Sequence, residues 1–249
     1  MKKILLLSVF SLHLAFCAST QNKVARNPEK DPQYQYEKAT VAMRYDLVDQ
    51  AIEYLNQALA LGPGHYQSYN LLGLAYFKKK NYADAASAFE KCLELKPDVS
   101  EVHSNLGIVY EEWGQTDKAE EEYKKAYAID GNPDASFNLA KLYYGQNKLE
   151  QALDYARESI QKKSDPAAAY NLQGVILNQM GRYAEALESF QNALRLSPND
   201  INLSVNLGIA YLNNKEFGKA RELFEKILPA IKDQAFKDRI IEYLKLIKE

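Results

Sequence analysis

The sequence predicts an all-α fold, a right-handed superhelical solenoid of six helix-turn-helix hairpins with a C-terminal capping helix. Similar segments recur along the chain at spacings of 33 or 34 residues, and a fixed period of this length is typical of stacked repeat architectures. Inside each segment, apolar residues recur at helical spacing on both sides of one short break, which predicts two amphipathic helices. Apolar residues make up 47% of the 249-residue chain, enough for a sizeable core.

Helix starts and breaks divide the repeated region into hairpins. Asn132 and Asp165 each place a side-chain acceptor before a proline, a pattern typical of a helix N-terminus. Asp98 and Asp200 are predicted to start helices in the same way. The break inside a unit is predicted at Asn81, Gly114, Asn147, Gly181 and Asn214. The resulting hairpins span about residues 32–65, 66–99, 100–132, 133–166, 167–200 and 201–234.

The second helix of every unit carries one alanine at a fixed position, and a large side chain follows three or four residues later. The alanines are Ala51, Ala85, Ala119, Ala152, Ala186 and Ala220. The large residues are Leu55, Phe89, Tyr123, Phe190 and Phe224, with Ala156 as the exception. We expect the alanines to let two helices approach closely and the large side chains to fill the space between hairpins.

The last stretch, residues 235–249, reads as a lone amphipathic helix. Phe236, Ile240 and Leu244 fall on one side, with lysines and glutamates on the other. A stacked array exposes an apolar surface at its end, and a final helix can cover it. We therefore predict that this segment caps the array.

The first 17 residues are predicted to be a signal peptide. Lys2 and Lys3 precede an apolar run that is shorter than the roughly 20 residues needed to span a bilayer. The run ends at Leu14-Ala15-Phe16-Cys17, which resembles the lipobox of bacterial lipoproteins, although Phe16 departs from the small residue expected before the cysteine. Lipidation of Cys17 is predicted; the alternative is cleavage after Cys17 by the ordinary signal peptidase. Residues 18–31 are polar and predict a flexible tether.

The repeated positions resemble the tetratricopeptide repeat, in which an aromatic, Leu, Gly and Tyr are followed by Ala, Phe, Ala and Pro. The matching glycines are Gly73, Gly107, Gly174 and Gly208, and the matching tyrosines are Tyr76, Tyr110, Tyr143 and Tyr211. Ala140 replaces the glycine and Leu177 the tyrosine in one copy each. The resemblance covers residues 32–234. It implies that the first helix of each unit lines a concave groove that binds peptides or helices of partner proteins.

The resemblance also predicts which residues line this groove, since the inner positions fall three or four apart on each first helix. The predicted lining residues are Tyr36, Asn70, Leu74, Phe77, Asn105, Ile108, Phe137, Asn138, Lys141, Tyr144, Asn171, Val175, Asn178, Asn206, Ile209 and Leu212. Exposed aromatic side chains give contact area at small entropic cost; the alternative is that several of them pack between helices. The recurring asparagines can bond a partner's backbone; the alternative is that they bond within the scaffold.

No group of residues in the sequence predicts catalysis, a metal site or a cofactor. His65 falls in a turn, and His103 occupies a position where the repeat places an aromatic, so packing is its expected role. The run Glu120-Glu121-Glu122 lies beside lysines and predicts a solvated face with ion pairs four residues apart. The formal net charge of −2 gives no general attraction to nucleic acid.

The sequence therefore predicts a protein-binding scaffold, not an enzyme, exported to the bacterial cell envelope. With Cys17 lipidated, the chain would be anchored in the outer membrane facing the periplasm; without the lipid it would be soluble in the periplasm. An exported, lipidated chain of this repeat number resembles the type IV pilus assembly lipoproteins, which help the outer-membrane secretin channel to assemble. The alternative is a periplasmic chaperone or adaptor for cell-wall or export machinery, and an enzyme is the least favoured class.

Overall fold

A computed structural model describes residues 28–162 and 166–247 of the chain. The predicted signal peptide, the lipidation site Cys17 and most of the predicted tether lie outside the described residues, as does Asp165. The described residues divide into two compact units, those up to Leu95 and those from Lys96 onward, called here the N-terminal unit and the C-terminal unit.

The described residues form thirteen α-helices and no strand. In the N-terminal unit these are α1 (Pro32–Arg44), α2 (Val48–Leu61), α3 (Tyr66–Lys78) and α4 (Tyr82–Leu95). In the C-terminal unit they are α5 (Ser100–Glu112), α6 (Thr116–Asp130), α7 (Pro133–Gly145), α8 (Leu149–Lys162), α9 (Pro166–Gln179), α10 (Tyr183–Leu196), α11 (Ile201–Asn213), α12 (Phe217–Ile227) and α13 (Gln234–Leu246). The predicted all-α fold of six hairpins and a final capping helix is confirmed.

Side-chain caps start several of these helices. Asn132 Oδ1 accepts hydrogen bonds from the backbone N–H groups of Asp134 and Ala135, both at 3.0 Å. Asp200 Oδ1 caps α11 in the same way, because an unpaired N–H at a helix N-terminus needs an acceptor. The prediction for Asp98 was wrong. Helix α5 begins after Val99, which makes no side-chain cap.

Every hairpin turn uses one residue in the left-handed conformation. These residues are Asp46, Lys80, Gly114, Asn147, Gly181 and Lys215. The next residue donates its N–H to the carbonyl five positions back, as from Gln115 to Tyr110 at 2.8 Å, which is the Schellman arrangement that ends a helix. The breaks predicted at Asn81 and Asn214 are each one residue away from the left-handed position, because a lysine occupies it in those two turns.

In four of the hairpins the large side chain of the second helix packs onto the glycine of the first helix. A Cβ atom added to Gly107 would lie 2.5 Å from the Tyr123 ring, and one added to Gly208 would lie 2.3 Å from the Phe224 ring. Such a distance is far below van der Waals contact, so the ring occupies the space that the glycine leaves. We had expected these rings to fill the space between neighbouring hairpins, but each contacts the glycine within its own hairpin.

The fourth hairpin, α7–α8, is built differently. Ala140 stands at the glycine position and Ala156 at the ring position, and both are fully buried. The aromatic residue lies one position earlier, where the Tyr155 ring stacks on Tyr143 with centroids 5.6 Å apart and meets Tyr127 edge-on at 5.6 Å.

Helix α13 covers the end of the last hairpin. Ile240 is fully buried in a cluster with Phe224, Ile227 and Ile231, and the Tyr243 ring stacks on Phe224 at 5.6 Å.

At the other end, part of the predicted tether is folded onto α1. Residues Pro28–Lys30 form a 3-10 turn, and Gln35 Nε2 donates to the Glu29 carbonyl oxygen at 2.9 Å. A flexible tether over 18–31 is therefore wrong for its last residues.

Candidate protein-binding face

The candidate binding surface is the side of the C-terminal unit formed by the first helices of its hairpins. Helix α7 contacts α9, and α9 contacts α11, while Lys141 on α7 reaches Glu111 on α5 with Nζ and Oε1 3.8 Å apart. These four helices therefore lie in one row. Their partly exposed side, defined by Ile108, Tyr144, Val175 and Ile209, is called here the first-helix face.

Helical periodicity explains why these side chains share a side. Residues separated by four, seven and eleven positions lie along one stripe of an α-helix. On α5 such a stripe runs through Glu101, Asn105, Ile108 and Glu112. Because each first helix repeats the same spacing, the stripes of neighbouring helices lie side by side.

Amide pairs connect the last two first helices across the face. Asn206 Nδ2 donates to Asn171 Oδ1 at 2.8 Å, and Asn213 Nδ2 donates to Asn178 Oδ1 at 2.9 Å. For these asparagines the structure shows bonding within the scaffold. Each pair still has three amide hydrogens and three carbonyl lone pairs beyond those used in the pair.

The recurring asparagines fall at two different positions of the first helix. Asn70 and Asn171 stand three residues before the hairpin glycine, whereas Asn105 and Asn206 stand two before it. One residue is about 100° around a helix, so the two sets point in different directions. Asn138 belongs to the second set and is only 8% exposed, which places it largely in the packed interior.

The other predicted lining residues are placed as follows. Lys141 is exposed, and the remaining ones in the C-terminal unit are half-buried. In the N-terminal unit, Tyr36, Asn70, Leu74 and Phe77 are half-buried as well. Half-buried side chains both pack on the scaffold and present an edge outward, so the packing interpretation holds in part, and the role of the exposed edges in partner binding stays a prediction.

Two of the N-terminal residues have close neighbours. The Tyr36 ring meets His65 edge-on at 5.3 Å, and Phe77 lies 6.1 Å from the Tyr82 ring. Asn70 Oδ1 is buried and has no hydrogen-bond partner among the described residues.

A largely buried hydrogen-bonded pair between α5 and α6 was missed by sequence reasoning. His103 Nδ1 lies 2.6 Å from Glu122 Oε2, and His103 Nε2 lies 3.0 Å from the carbonyl oxygen of Pro97. Lys125 donates to Glu122 at 2.8 Å. Burial acts to raise the pKa of Glu122, but the hydrogen bonds from His103 and Lys125 outweigh it and leave the pKa lowered.

This pair corrects two expectations. His103 packs as expected but is also hydrogen-bonded to Glu122, which is only 8% exposed although Glu120–Glu122 had been expected to form a solvated face. The i,i+4 ion pairs predicted beside it are present, from Lys124 to Glu120 at 2.6 Å and from Lys125 to Glu121 at 2.7 Å. The sequence could have indicated this pair, because Glu122 lies on the side of α6 that carries the buried residues.

Tyr123 links the core to the first-helix face. Its ring lies over Gly107, and its hydroxyl donates to Glu111 Oε2 at 2.6 Å. Burial, together with this hydrogen bond, raises the pKa of Tyr123 well above its usual range, so the hydroxyl stays protonated and holds the Glu111 carboxylate in place.

A second surface feature in the N-terminal unit was also missed. Helices α1 and α2 enclose an open hollow of about 380 Å³ lined by Tyr34, Val41, Tyr45, Leu47 and Tyr54 among others. Lys38 Nζ lies 4.2 Å from the centroid of the Tyr54 ring, a cation–π contact.

The described residues hold no group of three or more His, Cys, Asp or Glu side chains arranged to bind a metal ion. Among the described helices, none combines the length and apolar character that crossing a bilayer requires. Cys92, the cysteine within the described residues, is a buried thiol.

Profiles described as tetratricopeptide repeat match residues 67–132, 137–201 and 177–238, which together exceed half of the chain. The chain belongs to the tetratricopeptide repeat family. The glycine, tyrosine and alanine positions quoted above are thus family positions, and the Gly107–Tyr123 contact is the packing they produce here.

Among its relatives is the type IV pilus assembly protein PilF of Pseudomonas aeruginosa, 28% identical over 161 residues that cover 64% of each chain. The human protein O-mannosyl-transferase TMTC3 is 29% identical over 66% of this chain but only 20% of its own length. The chain thus spans less than two thirds of either relative.

Two solved structures share the fold. One, from a functional characterisation of P. aeruginosa PilF, aligns with a TM-score of 0.65 at 26% identity over 74% of this chain and 84% of that one. The other is PilW, described as a widely conserved type IV pilus biogenesis factor, with a TM-score of 0.70 at 16% identity over 88% and 98% of the two chains. At that identity, the likeness to PilW concerns the fold alone.

Proposed function

We propose that this chain is a protein-binding scaffold of the bacterial cell envelope, that it holds a partner on the first-helix face, and that it assists assembly of a type IV pilus and its secretin. The observation that carries the pilus role is the 28% identity to a type IV pilus assembly protein over 161 residues. The binding role is supported by the amide and apolar side chains that are partly exposed on the first-helix face.

Membrane attachment through a lipid on Cys17 completes the proposal. The sequence around Cys17 favours it, and residues 18–27 would separate the anchor from the folded turn at Pro28–Lys30. A Cys17→Ser variant is expected to move from the membrane fraction to the soluble periplasmic fraction. Mass spectrometry of the mature wild-type chain is expected to give the mass of the polypeptide that begins at Cys17 plus the mass of the attached lipid. An unmodified Cys17, or a chain cleaved after it, would contradict the anchor and leave the scaffold role in place.

The partner test uses a photo-crosslinking amino acid in the full-length chain, expressed in its source bacterium. The group replaces Ile209 on the first-helix face or, as a matched control, Glu188, which is exposed on the second helix α10. Adducts with a secretin or pilus component are expected from position 209 and not from 188.

Three other results have defined meanings. Adducts only with cell-wall enzymes or export factors would remove the pilus role and keep the scaffold. Equal adducts from both positions would show that the face is not the binding surface, and loss of the gene without loss of surface pili would contradict the pilus role.

A further inference from the structure

Charge is distributed unevenly over the first-helix face. Helix α5 carries three acidic residues, Glu101, Glu111 and Glu112, and neither Lys nor Arg. Helix α7 carries Asp134 and Lys141. Helices α9 and α11 carry no charged residue at all, although the second helices α10 and α12 do. The face therefore changes from acidic to uncharged within one compact unit.

The acidic end projects its charge into solvent. Glu101 and Glu112 are exposed and lie on the stripe that contains Ile108. Glu111 is half-buried, held by the Tyr123 hydroxyl and facing Lys141 at 3.8 Å. Lys141 is the single lysine or arginine on α5, α7, α9 and α11, and this contact places it beside an acid. What remains at this end is a net negative surface.

The uncharged end offers apolar edges with amides among them. Val175, Ile209 and Leu212 are half-buried, so each presents part of its side chain outward. The Asn171–Asn206 and Asn178–Asn213 pairs lie seven residues apart along α9 and α11, which is about two helical turns. Their remaining hydrogen-bonding groups suit the N–H and C=O of a polypeptide backbone, and no charge is present to favour an ionic ligand.

Resting on the proposed function, we infer that the partner segment has two chemically distinct halves. Lysine or arginine side chains lie over α5 and the adjoining part of α7, and aliphatic or aromatic side chains lie over α9 and α11. Charge complementarity fixes the orientation of the bound segment, because a reversed segment would bury its basic groups on apolar surface. A segment ending in acidic residues is disfavoured at both ends of the face.

The test is selection of a displayed library of random dodecapeptides on the purified full-length chain. Selected peptides are expected to place Lys or Arg toward one end and Leu, Ile, Val or Phe toward the other. With the double variant Glu101→Gln/Glu112→Gln, the basic preference is expected to disappear while the apolar preference stays. Glu188→Gln on α10 removes an equally exposed carboxylate from the second helix and is the matched control.

Affinity measurements on the best selected peptide sharpen the result. The double variant is expected to raise its Kd about 2- to 30-fold, the range expected for two solvent-exposed ion pairs, and to abolish most of the weakening that added salt causes in the wild type. Asn213→Lys introduces a charge at an exposed position of the apolar half and is expected to weaken the same peptide. Circular dichroism of each variant establishes that the helices are intact.

The outcomes separate the two ideas. Selected peptides that are acidic, or whose composition and salt dependence are the same for the double variant, would overturn the two-part partner while leaving a peptide-binding scaffold. No enrichment over an unrelated protein would overturn both.

Discussion

The fourth and fifth hairpins of the chain solve one packing problem in two ways. In α9–α10, Gly174 lies under the Phe190 ring, and a Cβ on that glycine would meet the ring at 2.7 Å. In α7–α8 the same two positions are Ala140 and Ala156, both fully buried. The two positions are therefore constrained together. A large ring at the second position requires a glycine at the first, because both side chains would occupy the same space.

In the fourth hairpin a neighbouring residue supplies the aromatic ring that position 156 lacks. Tyr155, the neighbour of Ala156, stacks on Tyr143, and the Tyr143 hydroxyl donates to Glu120 at 2.9 Å. The Tyr155 ring contacts Tyr143 of its own hairpin and Tyr127 of the preceding one, whereas the Phe190 ring lies over the glycine of its own hairpin. Hairpins built on the same repeat can thus differ in where their aromatic residues are placed.

The largest expected effect comes from removing the ring of the fifth hairpin. Phe190→Ala is expected to lower the free energy of unfolding by about 3–5 kcal/mol, because it leaves a cavity over Gly174. Adding Gly174→Ala reproduces the alanine pair of the fourth hairpin and is expected to restore part of that loss. Urea unfolding followed by circular dichroism measures both; a double variant less stable than the single one would break the comparison.

The converse change overfills the fourth hairpin. Ala156→Phe is expected to destabilise the chain by about 1–3 kcal/mol, since its ring would meet the Cβ of Ala140. Ala140→Gly in the same chain is expected to relieve most of this cost. Thermal melting of the two single variants and the double variant gives the coupling, and strictly additive effects would mean that the two positions do not share one space.

The third hairpin adds a comparison of charge. The pKa of Glu122 is lowered from its ordinary value of 4.5, so the interactions of its carboxylate with His103 and Lys125 stabilise the fold above that pH and are lost as the pH falls through the lowered value. Glu122→Gln is expected to cost about 1–2 kcal/mol at pH 7. Urea unfolding is expected to show a smaller difference in unfolding free energy between wild type and Glu122→Gln at pH 3 than at pH 7. The same difference at both pH values would contradict the role of the charge.

The smallest effect concerns the left-handed turn residues. Lys215 has φ of 61° where the fifth hairpin has Gly181 at 75°. Lys215→Gly is expected to stabilise the last hairpin by about 0.5–1 kcal/mol, because glycine adopts this conformation without strain. The matched change Gly181→Lys is expected to destabilise by a similar amount, and melting temperatures that move the other way would remove strain as the explanation.

Much of the fold was accessible from sequence because its determinants are local. Helical spacing, the caps at Asn132 and Asp200 and the 33- or 34-residue period each act within one hairpin or its repeat. The errors in local structure were small and had local causes, as at Asp98 and Lys215.

The site was less accessible, because its chemistry depends on atoms contributed by different hairpins. The sequence by itself determined that first helices would carry amide and apolar residues, and that α9 and α11 would lack charge. Only the tertiary structure decided that Asn171 bonds Asn206, 35 residues away, and that Glu122 turns inward to His103. A hydrogen bond forms over a few tenths of an ångström, and helix-to-helix distances of that precision are set by side-chain packing, not by the period of the repeat.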